Sequence, residues 1–249
     1  MAYDWRHELP LPVEYATRLL FEHTSVSWLL SSALLLLLAG VLYWELHLAE
    51  GAHLGARGVV WLYDLAAHRY EGIKEFDNQF DDDFLGFPLA GNLAALPAAR
   101  VLDVAAGTGR LARSLLRQVA FDGYIVQTDL SLGMLRQAQH EVRSLPEQVE
   151  FLCNPADLLP FANDSFDAVV CLEALEFMPS AEGVIAECMR VLRPRGSLLL
   201  TNRIGPSARW LLGKTFSRPA FRSLLEDRGL DDIYIHPWQL DYDLAWARK

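Results

Sequence analysis

The sequence predicts a doubly wound α/β sheet preceded by a hydrophobic helix, and three observations carry that prediction. From residue 100 onward, short apolar runs alternate with helical spacing, the pattern of parallel strands joined by crossover helices. The first of these runs, Arg100-Val-Leu-Asp-Val-Ala-Ala-Gly-Thr-Gly-Arg110, ends in small residues and opens directly into a helical pattern, so it reads as strand, tight turn, helix. Upstream, no charged residue occurs between Thr24 and Trp44.

Composition bounds the possibilities. A chain of 249 residues with 52% hydrophobic content can build one α/β domain of ordinary size plus an appendage. A formal net charge of -10 argues against nucleic acid as a partner, because phosphate binding needs a basic face. Cys153, Cys171 and Cys188 are odd in number, widely spaced and set in apolar sequence; the expectation is buried, reduced thiols, with no disulfide framework and no metal site.

Residues 1–23 form a polar tail of mixed charge containing Pro10 and Pro12. The uncharged run 24–44 would span roughly 30 Å as a helix, one bilayer core. Trp28 near one end, and Tyr43 and Trp44 at the other, resemble interfacial anchors. The reading is a single transmembrane helix, with a hydrophobic helix packed on the domain or in an oligomer interface as the alternative. A signal peptide fits poorly, since Asp4, Glu8, Glu14 and Glu22 precede the run. Arg6 and Arg18 on one side balance Arg57 and Arg69 on the other, so flanking charge leaves orientation open.

Residues 45–99 read as a connector and a helical cap. Gly51, Gly55 and Gly58 predict a flexible link over 49–58, and Trp61, Leu62, Leu65 and Tyr70 predict a helix over Val59 to Phe76. The acidic run Asp77-Asn-Gln-Phe-Asp-Asp-Asp83 reads as a solvated turn; a magnesium-diphosphate site would need a second such cluster, and the sequence has none.

Residues 100–249 form the expected domain, with strands near 100–105, 124–129, 149–153, 166–172, 196–202, 232–237 and 242–248. The short connection near Gln239 to Asp241 makes the last two a hairpin and the final strand antiparallel.

The turn after the first strand suits a nucleotide-like cofactor, because Gly107 and Gly109 permit a sharp backbone turn next to a helix start. Gly107-Thr-Gly-Arg-Leu-Ala112 also satisfies a dinucleotide fingerprint. Asp103 separates the two cofactor classes: a carboxylate at the strand end repels a pyrophosphate but attracts an ammonium and a sulfonium, favouring S-adenosylmethionine over NAD. Asp129 ends the next strand, where an acidic side chain can take both ribose hydroxyls.

The stretch Val-Leu-Asp-Val-Ala-Ala-Gly-Thr-Gly resembles motif I of the class I S-adenosylmethionine-dependent methyltransferases, nearest the quinone-biosynthesis C-methyltransferase branch, and the similarity runs from about Trp61 to Lys249. The resemblance implies a seven-stranded Rossmann-like sheet with an antiparallel last strand. It puts Ala105, where the family often has its first glycine, together with Gly107, Thr108 and Gly109 around the cofactor. Leu130 and Met134 would sandwich the adenine, as in the family's Asp-x-Ser-x-x-Met-Leu segment. Pro155 replaces the usual adenine-edge residue, so the Ala156 N–H remains, with Asn154 or Asp157 as substitutes for the lost acceptor. The backbone near Cys171 and Leu172 would meet the methionine end of the cofactor. The pre-domain helix would lie over the cofactor and bring Tyr63, Asp64 and Tyr70 to the pocket, while the segment Glu187 to Gly196 resembles the helix-turn signature before strand five.

Glu173 and Glu176 are candidate bases or substrate contacts, equally readable as solvated carboxylates at a helix start, and no catalytic residue is assigned. Thr201-Asn-Arg203 faces the pocket mouth. The expected activity is methyl transfer from S-adenosylmethionine to a small or lipid-like acceptor near a membrane. The chain would be single-pass with its domain in the cytoplasm, where the cofactor is made. The alternatives are a nicotinamide-dependent oxidoreductase and a non-catalytic cofactor-binding interaction protein.

Overall fold

Seven strands, β1 (Arg100–Val104), β2 (Tyr124–Asp129), β3 (Val149–Cys153), β4 (Phe166–Cys171), β5 (Leu192–Arg203), β6 (Asp231–Gln239) and β7 (Tyr242–Arg248), form one sheet in the order β3-β2-β1-β4-β5-β7-β6. The computed structural model describes residues 13–143 and 147–249; residues 1–12 of the expected polar tail lie outside the described residues. β1 pairs in parallel with β2 and β4, β2 with β3, and β4 with β5. β7 runs antiparallel to both β5 and β6, so it is the single reversed strand.

The helices are α1 (Val13–Tyr43), α2 (Gly55–Ala66), α3 (Tyr70–Lys74), α4 (Asn78–Asp81), α5 (Phe87–Leu93), α6 (Arg110–Leu116), α7 (Leu132–Glu141), α8 (Ala181–Val191), α9 (Gly205–Ala208) and α10 (Arg218–Asp227). Strand side chains alternate between faces, and that period divides the core in two. Leu102, Val104, Val169, Cys171, Leu198 and Leu200 meet Val184, Ile185 and Phe221 from α8 and α10. Val101, Ala168, Val170 and Leu199 meet Leu89, Leu111 and Leu115 from α5 and α6. Strands covered on both faces must be apolar throughout, which is why β1 and β4 read as continuous apolar runs. Serines start three of the covering helices: Ser131, Ser180 and Ser217 accept the N–H groups of Met134, Gly183 and Ala220. Each such cap contributes about 1 kcal/mol.

α1 is continuous through the uncharged run and passes into a π-helical turn over Trp44–Leu48. Its side chains from Trp28 to Tyr43 are exposed throughout, Leu36 by 74%. Ser27–Leu48 is the one helical stretch, among the described residues, long and apolar enough to cross a bilayer.

The structure corrects four expectations. The link over 49–58 is not flexible: Ala49 and Ala52 are buried against Phe177 and Leu211, and α2 begins within the link, at Gly55. Buried Glu45 accepts the His53 backbone N–H at 2.9 Å and lies 3.1 Å from its ring, while Arg203 bonds Glu50 at 2.5 Å. The helix over Val59 to Phe76 is interrupted, since a 3₁₀ turn at Ala67–Arg69 separates α2 from α3. The acidic run is not a solvated turn. Asp77 caps α4, Asp81 is buried on Arg110, and Asp82 bonds Arg117. Finally, Cys153 is exposed, because β3 is an edge strand whose outer residues meet solvent; Cys171 and Cys188 are buried as expected. Burial pushes the Cys171 thiol up and the Cys188 thiol to about 12, which keeps both protonated.

Candidate functional site

The turn from β1 into α6 opens at the carboxyl end of the sheet, where ligands sit in open α/β folds. Its backbone is held by Ala106 N–H on the Thr128 carbonyl at 2.9 Å and Gly109 N–H on the Ala106 carbonyl at 3.0 Å. Ala105, Gly107 and Gly109 all have left-handed φ, of 54°, 54° and 83°. The two glycines serve different ends. A Cβ at Gly107 would meet nothing within 4 Å, since it points into the open cleft, whereas at Gly109 it would press on Ala138 and the Gln127 amide at 3.2 Å. Gly107 therefore leaves room for a ligand, and Gly109 lets α6 approach α7 and β2 closely.

Two carboxylates stand beneath this turn. Asp129 accepts the backbone N–H groups of Gly107 at 2.9 Å and Ser131 at 2.8 Å, which fixes it at the lip of β2. Burial raises its pKa, and those N–H groups offset part of the rise. Asp103 is 2% exposed and accepts from Gln127 Nε2 at 3.0 Å. Burial pushes it up to about 7, against the lowering effect of that bond.

The cleft, its open mouth included, encloses about 1200 Å³. Asp103, Ala105, Gly107, Thr108, Asp129, Leu130, Ala156, Asp157 and Leu172 lie on its wall. Gly109 and Met134 do not. Met134 is wholly buried, because α7 begins only at Leu132, behind the extended Ser131 cap, and so Leu130 and Met134 share no helix face. The Asn154 amide is spent on the Pro155 and Leu158 carbonyls, leaving the exposed Asp157 carboxylate as the free polar side chain of that loop.

Opposite the turn, α2 presents Ala56, Val59, Val60 and Tyr63, and the 177–179 segment presents Phe177, Met178 and Pro179. Tyr63 lies 5.9 Å from Tyr70 and 5.7 Å from Phe177 between ring centroids, and Phe76 continues the aromatic wall 6.1 Å from Tyr70. Burial raises both tyrosine pKa values, so the phenols remain neutral. Asp64, expected with them, instead ties the cap to α7, accepting Ser131 Oγ at 2.5 Å and Gly133 N–H at 2.9 Å.

The inner end is charged. Arg110 stacks between Phe76 and Trp238 at 4.4 and 4.5 Å. It bonds Asp81 through Nε at 2.8 Å and Glu173 through an η-nitrogen at 2.5 Å. Glu173 holds a left-handed φ of 49°, receives Lys74 Nζ at 3.3 Å and lines the cleft. Glu176 is buried away from the cleft wall, accepts Tyr242 Oη at 2.5 Å, and keeps one oxygen without a partner. Burial raises its pKa. Thr201 Oγ1 accepts the Glu173 N–H, Asn202 bonds the Phe216 backbone and Arg203 reaches Glu50, so the end of β5 braces the wall and does not line it. Thr108 Oγ1 donates to Glu71, which Arg113 also holds. Arg110, Glu71 and Phe76 were missed in the sequence; the only local signal for Arg110 was its place directly after Gly109.

The donor set suits one class of ligand. Asp103, Asp129 and Asp157 line the cleft with acceptors for hydroxyls and cationic groups, and Arg110, the cation nearest the turn, is committed to two carboxylates. Among the described residues a pyrophosphate finds no free cation at the cleft wall, whereas a ribose, an ammonium and a sulfonium find matching partners.

Residues 102–200 match the family described as "Methyltransferase domain". Among curated proteins, the chain is 33% identical over 127 residues to the ubiquinone/menaquinone biosynthesis C-methyltransferase UbiE of Pseudomonas aeruginosa, covering 50% of this chain and 49% of that one. It is 36% identical over 115 residues to the demethylmenaquinone methyltransferase of Renibacterium salmoninarum, covering 46% of each. The chain thus spans about half the length of the curated relatives it matches. In fold it is similar to the [4+2]-cyclase SpnF, with a TM-score of 0.63, 22% identity, and 78% of this chain and 96% of that one covered.

Proposed function

We propose, from the match of residues 102–200 to the family described as "Methyltransferase domain", that this chain is a class I S-adenosylmethionine-dependent methyltransferase that methylates a small, lipid-like acceptor of quinol type at a membrane surface. The observation that carries the reading is the two-sided cleft: acidic where the cofactor's hydroxyls and cations belong, apolar and aromatic along Val59, Tyr63, Tyr70 and Phe177 where an acceptor would lie.

The bound cofactor supplies an already activated methyl group, so the protein's work is alignment and exclusion of water. Asp129 would hold the ribose, and Asp103, ionised beside a cation, would orient the aminoacyl end. Leu130 and Ala156 would flank the adenine, with Asp157 at its edge and Leu172 near the methionine end. Tyr63, Tyr70 and Phe177 would hold a planar acceptor against the methyl. Both candidate bases are engaged, Glu173 by Arg110 and Lys74 and Glu176 by Tyr242. A phenolic or enolic acceptor, largely neutral near pH 7, would therefore give up its proton to water at the open mouth of the cleft as its new bond to the methyl forms. Of the relatives, UbiE is named a ubiquinone/menaquinone biosynthesis C-methyltransferase and the Renibacterium enzyme a demethylmenaquinone methyltransferase. The apolar helix Ser27–Leu48 is long enough for a single-pass chain, and the domain would lie on the cytoplasmic side, where the cofactor is made.

Tritiated methyl transfer from S-adenosylmethionine, read separately in a lipid extract and a water-soluble extract, tests this. The expected result is label in the lipid fraction. Label only in the aqueous fraction would overturn the acceptor class. Tight NADH binding without S-adenosylhomocysteine binding would overturn the cofactor reading, and cofactor binding with no transfer would favour an interaction protein.

A further inference from the structure

Two faces of α2 differ in a way the cleft alone does not explain. The inner face, with Ala56, Val59, Val60 and Tyr63, roofs the cavity. On the outer face Leu54, Trp61 and Leu65, seven and four residues apart and so on one stripe, are 44%, 63% and 61% exposed. Arg57 shares that side and Arg69 follows it, and among the described residues neither makes an ion pair or a side-chain hydrogen bond.

The position of this stripe says what covers it. Only six residues, 49–54, separate the apolar helix ending at Leu48 from α2, and even fully extended they reach no more than about 20 Å. They are in fact folded back: Gly51 N–H bonds the Glu45 carbonyl at 2.8 Å, and Leu54 N–H bonds the Gly51 carbonyl at 3.0 Å. His53 stacks on Trp44 at 4.9 Å and its ring reaches the Leu212 carbonyl at 3.3 Å, which brings Leu212, 66% exposed, to the same foot. An amphipathic helix held at the end of a bilayer-length helix, with tryptophan and leucine outward and beside them arginines that pair with none of the described residues, has the composition of an interfacial membrane helix.

We infer that the outer stripe of α2 lies in the phospholipid headgroup region, so that one helix is both the roof of the cleft and a membrane contact. The inference rests on the membrane-acceptor reading above and deepens it: the acceptor would enter from the lipid side, past α2, without crossing water. Because Ala49 and Ala52 pack on Phe177, which lines the cleft, the membrane foot and the acceptor wall form one packed unit.

The test uses the full chain in phosphatidylcholine vesicles containing a minority of phosphatidylglycerol. In a Cys153→Ser background, which removes the exposed thiol, Trp61→Cys, Leu65→Cys and the fully exposed reference Val119→Cys are each labelled with an environment-sensitive fluorophore. The expected result is that labels at 61 and 65 are shielded from iodide several-fold relative to 119 and quenched by lipid bearing a nitroxide near its headgroup, while 119 behaves in the opposite sense. Labels at 61 and 65 as open to iodide as 119, in a chain that resists carbonate extraction, would overturn the inference and leave the membrane-acceptor reading standing. Release of the whole chain by carbonate would remove the anchor itself and overturn both.

Discussion

Gln127 donates from Nε2 to the Asp103 carboxylate at 3.0 Å inside the sheet, from the directly paired position on the neighbouring strand, and its own carbonyl oxygen has no partner among the described residues. One neutral donor does not offset full burial, so Asp103 holds its proton up to about pH 7, against an ordinary value of 3.8. The folded chain therefore binds this proton more tightly than the unfolded chain, and the domain loses stability as pH rises from about 4 to about 7, then levels. The loss is at most about 4 kcal/mol, from roughly 1.4 kcal/mol per pKa unit. Asp103→Asn, whose amide can donate to the empty Gln127 oxygen, should flatten that slope and raise the apo melting temperature at pH 8. Thermal melts across this range check it, and an unchanged slope would remove Asp103 as the cause.

Cofactor binding should carry the opposite pH dependence. A cation placed beside Asp103 favours the ionised carboxylate, so affinity for S-adenosylmethionine should rise through the acidic range and level near pH 7. S-adenosylhomocysteine, which keeps the ammonium that Asp103 would orient, should show a parallel rise. Calorimetry with both ligands decides it, and a flat profile for S-adenosylhomocysteine would take the ammonium away from Asp103.

Asp129 holds Gly107 and Ser131 by their backbone N–H groups and still offers lone pairs to the cleft. Asp129→Ala should weaken cofactor binding by about 1.5 to 3 kcal/mol, ten- to a hundred-fold. Unchanged affinity in a folded variant would rule out the ribose role.

The Arg110–Asp81 pair has side chains only 8% and 2% exposed. Removing one partner strands a buried charge, so Arg110→Met should cost about 3 to 5 kcal/mol in urea denaturation. The double variant Arg110→Met with Asp81→Leu should recover part of that loss, the remainder belonging to Glu173, which keeps only Lys74 as a partner. Additive losses would show that the two residues act independently.

Ala105 has a φ of 54°. A left-handed alanine costs about 1 to 2 kcal/mol, of which the looser unfolded chain of a glycine gives back part. Ala105→Gly should therefore stabilise the domain by about 0.5 kcal/mol, readable as a higher urea midpoint with an unchanged slope.

What the sequence made legible was local. Strand, turn and helix over Arg100 to Arg110 follow from apolar periodicity and two glycines, and the antiparallel ending follows from a connection too short for a crossover. What stayed hidden depended on distant partners. The acidic run looks solvated because nothing near Asp81 announces Arg110, 29 residues on. Ala49 and Ala52 carry no periodic signal, yet small side chains are what the close approach to Phe177 requires. Leu130 and Met134 are paired by the family resemblance alone, and here the helix starts between them, at Leu132, so only Leu130 lines the cleft.

The place of β7 bears on how the chain is made. Tyr242–Arg248 fills the gap between β5 and β6, although it leaves the ribosome after both. Until it arrives, the edge of β5 from Ser197 to Arg203 has no neighbour on that side, in a strand rich in leucine. A bare apolar edge is an invitation to pair with another chain. The nascent domain thus passes through an aggregation-prone interval that β7, made after both of the strands it joins, brings to an end.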